Sequence, residues 1–564
     1  MLFRISTLYT KEPVKLKVLY KMKDSILSSI ESLTDRNTDF NSLFFNSYQS
    51  GLTPDEMGRN FELSLEHLER KQKGQYYTPK AIVEYIISRL DVKSDSNILD
   101  PACGCGSFLL SMFDIFTKKY GTDFIRNIYG VDIKEDAVEM TKACLFLLTG
   151  FNDKYKTVLK HNIQVGNSLI LKSLFDEYYP TLYQFDGFDF IIGNPPYVTL
   201  KKHDDFDPYD PVYSQIINGP VNAASLMIVR SLELLKENGI LAFLLPKSIL
   251  YVDSYRLLRQ YIINNTTLLE IYDLGAKFKD VRGEQIILFI KKSVPNKSND
   301  LKITVFTNNS RSLYDQQTLF INQKRLGNYE KFLTFFNEKH YLLLDKLRKK
   351  GISFDDFVGN RIFRGLPIGG NKLVKGTENS AIRGKNISKF KIDNGYMIPQ
   401  DILPLQSKSK IELLKRKKIV LQNIFSSESG IISAYDPDGL FTLDTVTNIV
   451  VDDYLQGKYI LGLLNSKVIN FFVMYALFNR SRLTMHLDKS YIGLLPIIES
   501  PDKAELDELV GIVEDLEKNS NSEEGKKYLR SLDKVVYKLY GLNEEEINII
   551  ENSVSEMLSK KSVW

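Results

Sequence analysis

"LDPACGCGSFLL", Leu99 to Leu110, reads as three short pieces in succession: a strand end, a turn with glycines at 104 and 106, and the first turns of a helix. Two readings compete. A dinucleotide fingerprint needs a third glycine for close packing of helix on strand, and Leu109 fills that position. A nucleoside pocket without a pyrophosphate needs no such glycine, and Asp100 at the strand's end then reaches a cationic amino group. The surrounding chain repeats the rhythm from about 97 to 290. "NILD", "IYGVDI", "FDFIIG" and "ILAFLLP" have strand character; "SFLLSMFDIFTKKY", "DAVEMTKACLFLLTG" and "AASLMIVRSLELLKENG", the last with a glycine stop, have helical character. Such alternation predicts an α/β fold, a mostly parallel Rossmann-like sheet with helices on both faces. Ligands of such sheets lie beyond the carboxyl ends of the strands, where the strand order reverses.

"GVDI" puts Asp132 at the next strand end, where a carboxylate can accept from two ribose hydroxyls. Asp100 and Asp132 together suit S-adenosylmethionine, whose ammonium and ribose need acidic partners and which carries no phosphate. Cys103 and Cys105 have one residue between them and no partner cluster, so they read as pocket packing.

A second stretch, "FDFIIGNPPYVTL" (Phe188 to Leu200), ends a strand on two successive prolines. Each proline fixes φ and removes a backbone donor, so the carbonyls are left to accept from something else. The exocyclic amine of a nucleobase is a poor nucleophile because its lone pair is delocalised into the ring. Two acceptors pulling on its hydrogens favour a tetrahedral nitrogen. Asn194 offers a side-chain oxygen, Pro195 a backbone oxygen held by Pro196, and Tyr197 a face for a flat base to stack on. The base must first leave the duplex.

These motifs resemble the DNA adenine-N6 methyltransferases of restriction–modification systems, in the gamma, TaqI-like order. "GQYYTP" (Gly74 to Pro79) resembles the family's first cofactor motif, N-terminal to "DPACGCGSF"; "GVDI" resembles the ribose motif and "GNPPY" the catalytic one. The resemblance implies that Tyr77 and Thr78 approach the methionine end of the cofactor, Asp100 binds its amino group and Asp132 its ribose. It also places Ala102, Cys103, Gly104, Gly106, Ile133, Ser168, Asn194 and Pro196 around the cofactor. In "VGNSL" Asn167 stands where the family often has Asp; an amide oxygen can accept the same bond from the cofactor's adenine. "LGAKFKDVRGEQIILFI" resembles the motif of a second aromatic wall, which points to Phe278. "FRGLPIGGNK" and "ILGLLNSKVINFF" resemble the target-recognition domain.

The implied organisation is a helical N-terminal segment (1–73), an S-adenosylmethionine-binding catalytic domain (74–310), an α+β target-recognition domain (311–500) and a C-terminal helical segment (501–564). Arg361, Arg364, the run Lys415, Arg416, Lys417 and Lys418, and the pair Arg480 and Arg482 are candidates for phosphate contact with double-stranded DNA. The net charge of +4 over 564 residues permits an anionic partner without demanding one. Five scattered histidines give no metal-ligand spacing, three cysteines make no disulfide framework, and no apolar run approaches the ~20 residues that cross a bilayer. A cytoplasmic, nucleoid-associated monomer is expected, with no membrane partner and with a cognate restriction endonuclease as the partner such systems pair with. The roughly seventy residues before Gly74 are too few for a nuclease domain, so methylation without cleavage is expected. Two other chemistries share the Pro-Pro signature, N5-methylation of protein glutamine and N4-methylation of cytosine. The first belongs to shorter chains; the second usually has Ser where Asn194 stands. A catalytically dead DNA-binding module is a third alternative, against which the intact set of Asp100, Asp132 and Asn194 to Tyr197 argues.

Overall fold

In the computed structural model the residues described are 32–33, 47–48, 50–64, 78–170, 186–200, 210–217, 221–276, 283–296, 298–306, 312–328, 330–335, 337–369, 373–374, 380–393, 395–399, 401–426, 428–520 and 522–558. They fall into two compact units, within 1–336 and 337–563. Tyr77, Phe278 and most of the segment 1–73 lie outside the described residues.

Among the described residues of the first unit, nine strands share one sheet: β1 Ile98–Asp100, β2 Ile128–Asp132, β3 Ile163–Val165, β4 Phe188–Gly193, β5 Leu235–Pro246, β6 Thr267–Gly275, β7 Gln285–Lys291, β8 Asp300–Val305 and β9 Gln317–Asn322. Their order across the sheet is β9-β8-β6-β7-β5-β4-β1-β2-β3. Pairings are parallel except that β7 runs against both β5 and β6, and β9 against β8. The chain steps outward from β1 to β2 and β3, then returns to β4 on the other side of β1. A crevice therefore opens between the carboxyl ends of β1 and β4, where neighbouring connections leave the sheet in opposite directions.

Helices α1 Pro54–Ser64, α2 Lys80–Ser88, α3 Ser107–Tyr120, α4 Glu135–Leu148, α5 Ala223–Leu234 and α6 Arg256–Asn265 flank the sheet sequence. In α3, Phe108, Leu109, Met112, Phe113 and Phe116 recur at helical spacing and are buried; Lys118 and Lys119 sit in the last turn, and Gly121 (φ 82°) stops it. The dinucleotide fingerprint's missing glycine has a physical answer here. Leu109 keeps its side chain because the strand makes room instead: a Cβ on Gly130 of β2 would lie 2.6 Å from Leu109 Cδ1. The helix expected to run to Gly239 ends at Leu234, because Leu235 already pairs with Phe188 as β5 begins. Helix α1 joins the same core through Met57, with Gly58 against the loop after β1: a Cβ there would be 2.8 Å from the Cys105 carbonyl oxygen. The sheet also passes the expected boundary at 310. Strand β9 pairs with β8 along its whole length, from Asp300 opposite Asn322 to Val305 opposite Gln317.

The second unit has an antiparallel sheet of β10 Ile362–Arg364, β11 Lys418–Gln422, β12 Ser433–Asp436 and β13 Val446–Val450, ordered β10-β13-β11-β12. Its helices include α7 Glu338–Lys350, α8 Tyr454–Asn465, α9 Lys467–Phe472, α10 Lys503–Asn519, α11 Glu523–Leu539 and α12 Glu544–Leu558. Helices α10 to α12, expected as a separate segment, belong to this unit; Lys458 of α8 ion-pairs with Glu517 of α10. The apolar stretch at 454–477 bends by 56° at Ser466, and among the described residues no single helix is long and apolar enough to cross a membrane.

Candidate active site

Asp100 ends β1 and is 1% exposed. Its Oδ1 accepts from the Ala102 amide at 3.1 Å, and β4 approaches so closely that a Cβ on Gly193 would stand 2.6 Å from that same oxygen. Only glycine fits there, so the strand end that leads into the Asn-Pro-Pro-Tyr turn is pressed against the carboxyl group. Burial, and then the neighbouring Asp132 carboxylate, push the Asp100 pKa up to about 8, although the Ala102 amide opposes the shift. An acid held neutral by burial gains most from a positive charge placed beside it.

Asp132 ends β2. Its Oδ2 accepts from the Gly104 amide and its Oδ1 from the Lys134 amide, both at 2.9 Å, so the carboxylate is aimed by the glycine turn itself. Burial raises its pKa too. Gly104 (φ 50°) and Gly106 (φ 86°) supply left-handed conformations in that turn, and the Thr141 hydroxyl of α4 donates to the Gly104 carbonyl at 2.8 Å. Cys103 and Cys105 are buried, and none of the three cysteines is disulfide-bonded. Ile133, immediately after Asp132, is 68% exposed, an apolar face left open at the mouth of the site. After β3, Asn167 caps its own turn by accepting from the Leu169 amide at 3.0 Å. Ser168 is buried and its hydroxyl donates to the Pro101 carbonyl. Two acids, a half-buried amide and an exposed aliphatic side chain thus stand at or just after the ends of β1, β2 and β3. These groups fit a cationic nucleoside ligand without phosphate.

The turn after β4 carries Asn194, Pro195, Pro196 and Tyr197. Thr78 is buried, and its Oγ1 accepts from Asn194 Nδ2 at 3.1 Å. That bond orients the amide and turns Asn194 Oδ1 the other way, where it accepts from the Tyr197 hydroxyl at 2.5 Å. Pro195 is buried and Pro196 half-buried. The Tyr197 hydroxyl also lies 2.9 Å from the Leu244 carbonyl of β5 and 3.3 Å from Gln285 Oε1 of β7, contacts that leave the expected role of its ring face untouched. Gln285 lies within the stretch "LGAKFKDVRGEQIILFI", in which the sequence pointed to Phe278 alone; its own signal is a polar residue at the head of the apolar strand "QIILFI". Arg230 and Tyr213, outside any motif, both donate to the Leu169 carbonyl and so pin the turn that bears Asn167.

The candidate DNA contacts in the second unit divide sharply. Lys418 is fully buried as the first residue of β11, ion-paired with Asp436 and donating to the Leu414 carbonyl, so it is removed from any nucleic-acid surface. Arg480 is also buried. Its charge, after burial, helps hold the His340 imidazole down at about 4. Arg361 turns its guanidinium onto the Asp452 carboxylate, and Arg364 donates to the Asp444 carbonyl at 2.9 and 2.6 Å beside Asp488. Lys415 pairs with Glu412, Arg416 and Lys417 are exposed, and Arg482 is half-buried.

Comparison with known proteins follows the same division. Residues 52–353 match the N-6 DNA Methylase family, and 379–497 match the TaqI-like C-terminal specificity domain. The chain is 28% identical over 308 residues to the type II restriction enzyme and methyltransferase RM.Eco57I of Escherichia coli, a match covering 42% of this chain and 30% of that one. It is 22% identical over 414 residues to the type II methyltransferase M.HindII of Haemophilus influenzae, covering 69% of each. The fold resembles that of the type IIL restriction-modification enzyme MmeI in complex with DNA, with a TM-score of 0.60 at 13% identity over 90% of this chain and 82% of that one.

Two outcomes are expected. Gly193→Ala forces a methyl group onto Asp100 and should cost about 1–3 kcal/mol in thermal denaturation, less in an Asp100→Ala background that makes room. Lys418→Ala leaves Asp436 buried without its cation and should cost about 3–5 kcal/mol in urea unfolding, whereas Arg416→Ala with Lys417→Ala should leave stability nearly unchanged.

Proposed function

Because this chain belongs to the N-6 DNA methylase family, we propose that it transfers a methyl group from S-adenosylmethionine to N6 of an adenine swung out of duplex DNA. The observation that carries the reading is the meeting of Asp100 with the Gly193–Asn194 strand end: a cation-seeking acid and an amine-seeking amide share one crevice.

Asp100 would hold the cofactor's ammonium, Asp132 its ribose, and Asn167 with Ile133 its adenine. When bound, S-adenosylmethionine supplies an electrophilic methyl group. The chain's own residues act on the acceptor. Asn194 Oδ1 and the Pro195 carbonyl accept from the two hydrogens of the target amine and draw its lone pair out of the ring. Among the described residues no donor takes up the Pro195 carbonyl, which leaves it available. Thr78 keeps the Asn194 amide from turning its nitrogen toward the base. The work is orientation and electrostatic preorganisation, with no covalent enzyme intermediate. Extruding the base costs a few kcal/mol, which stacking and these hydrogen bonds offset. The TaqI-like specificity domain supports DNA as the partner of the second unit, on which Arg416 and Lys417 are exposed cations. Such a substrate implies a cytoplasmic site of action.

The test is incubation of the purified protein with labelled cofactor and varied duplexes, followed by nucleoside mass spectrometry. N6-methyladenine is the expected product. N4-methylcytosine, or label recovered on protein glutamine, would overturn the assignment. Asn194→Ala should lower turnover at least a hundredfold, the scale of losing one preorganised transition-state contact, with cofactor affinity in calorimetry little changed.

A pH dependence follows from Asp100. With its pKa at about 8, the acid is mostly protonated at neutral pH and must release that proton to face a cation. Cofactor affinity should therefore rise with pH, by up to about tenfold per unit below pH 8, and level off above it. Calorimetry at pH 7 in buffers of different ionisation enthalpy should register proton release on binding, and Asp100→Asn should abolish both the release and the slope.

A further inference from the structure

The Tyr197 hydroxyl faces three oxygens: Asn194 Oδ1 at 2.5 Å, the Leu244 carbonyl at 2.9 Å and Gln285 Oε1 at 3.3 Å. A phenol has one proton to give. Burial holds its pKa well above the ordinary tyrosine range, so the proton stays on. The shortest contact places it on Asn194 Oδ1, the oxygen that the target amine must claim.

An incoming base therefore competes with a side chain of the site. The displaced hydroxyl needs another acceptor, because a buried donor left without one costs about as much as the bond it lost. The Leu244 carbonyl belongs to the backbone of β5 and has a fixed direction. Gln285 differs. It is 2% exposed, heads β7, and its backbone is anchored between Pro246 of β5 and Gly275 of β6. Its terminal amide presents an acceptor at one end and donors at the other. Rotated one way, it donates to the phenol oxygen while the phenol donates to Asn194. Rotated the other way, it receives the phenol's proton and Asn194 Oδ1 is released.

We propose that Gln285 is a positioning residue of this site: its amide takes over the Tyr197 hydroxyl when the target amino group occupies Asn194 Oδ1. The inference rests on the reading of Asn194 as the acceptor for that amine. Gln285 itself touches no reacting atom. It acts on turnover through Tyr197, so its effect on kcat should vanish when the hydroxyl is absent.

The experiment is a double-mutant cycle in the full chain on methylated duplex product, with cofactor affinity measured separately by calorimetry. Gln285→Met keeps the shape of the side chain and removes its hydrogen bonding; Gln285→Ala removes the amide without demanding space and serves if the first variant misfolds. Either should lower kcat about tenfold while leaving cofactor affinity within twofold of wild type. In a Tyr197→Phe background the same substitutions should change kcat by less than about twofold. Equal losses in both backgrounds would show a merely structural role and overturn the proposal. So would a loss expressed only in cofactor affinity. A wild-type protein that methylates no duplex would sink the functional reading first and this inference with it; a wild-type protein that turns over without coupling would sink this inference alone.

Discussion

The contact between the Asp100 carboxyl group and the backbone of Gly193 is where two strands of the sheet, β1 and β4, come close enough to share a ligand crevice. It exists because the chain reverses its direction of travel across the sheet between them, and because the residue at 193 has no side chain. A methyl there would separate the two strand ends by displacing the carboxyl group. With glycine in place, an acid stripped of water and an amide held by Thr78 stand on opposite lips of one opening. Burial that makes Asp100 costly to ionise would also favour a positively charged partner beside it. The strands supply the positions, and desolvation supplies the preference.

Much of this was legible in the sequence because the informative residues sit at strand ends. Asp100, Asp132 and Asn194 each follow a short apolar run and precede a turn, so their side chains had to emerge where the sheet stops. Leu109 was legible as a departure from the dinucleotide pattern, but its compensation by Gly130 was not, since the two residues meet only when β2 lies beside the helix. The basic run at 415–418 misled in part for a similar reason. One-dimensional text does not say where a helix hands over to a strand, and Lys418 is the first inward-facing residue of β11, matched to Asp436 four-square across the sheet pair. Gln285 was hidden by its neighbours: a lone amide before "IILFI" reads as a strand's polar start, and its partner is 88 positions away.

The two units use buried charge differently. In the first, the acids Asp100 and Asp132 are brought near one another, and burial raises the pKa of each. In the second, Lys418 and Asp436 neutralise each other in a fully buried pair, and Asp436 also accepts from the amides of Asp438, Gly439 and Leu440. A closed set of bonds of that kind fixes a turn and a register. An open one asks for a ligand. The contrast separates architecture from chemistry without reference to any motif.

Helix α1 backs the loop that follows β1. Gly58 lets it lie against the Cys105 carbonyl, on the loop whose Gly104 amide aims Asp132. A side chain at position 58 would therefore push on the Cys105 carbonyl, next in the chain to Gly104, and disturb the aim of the Asp132 carboxylate from behind the turn.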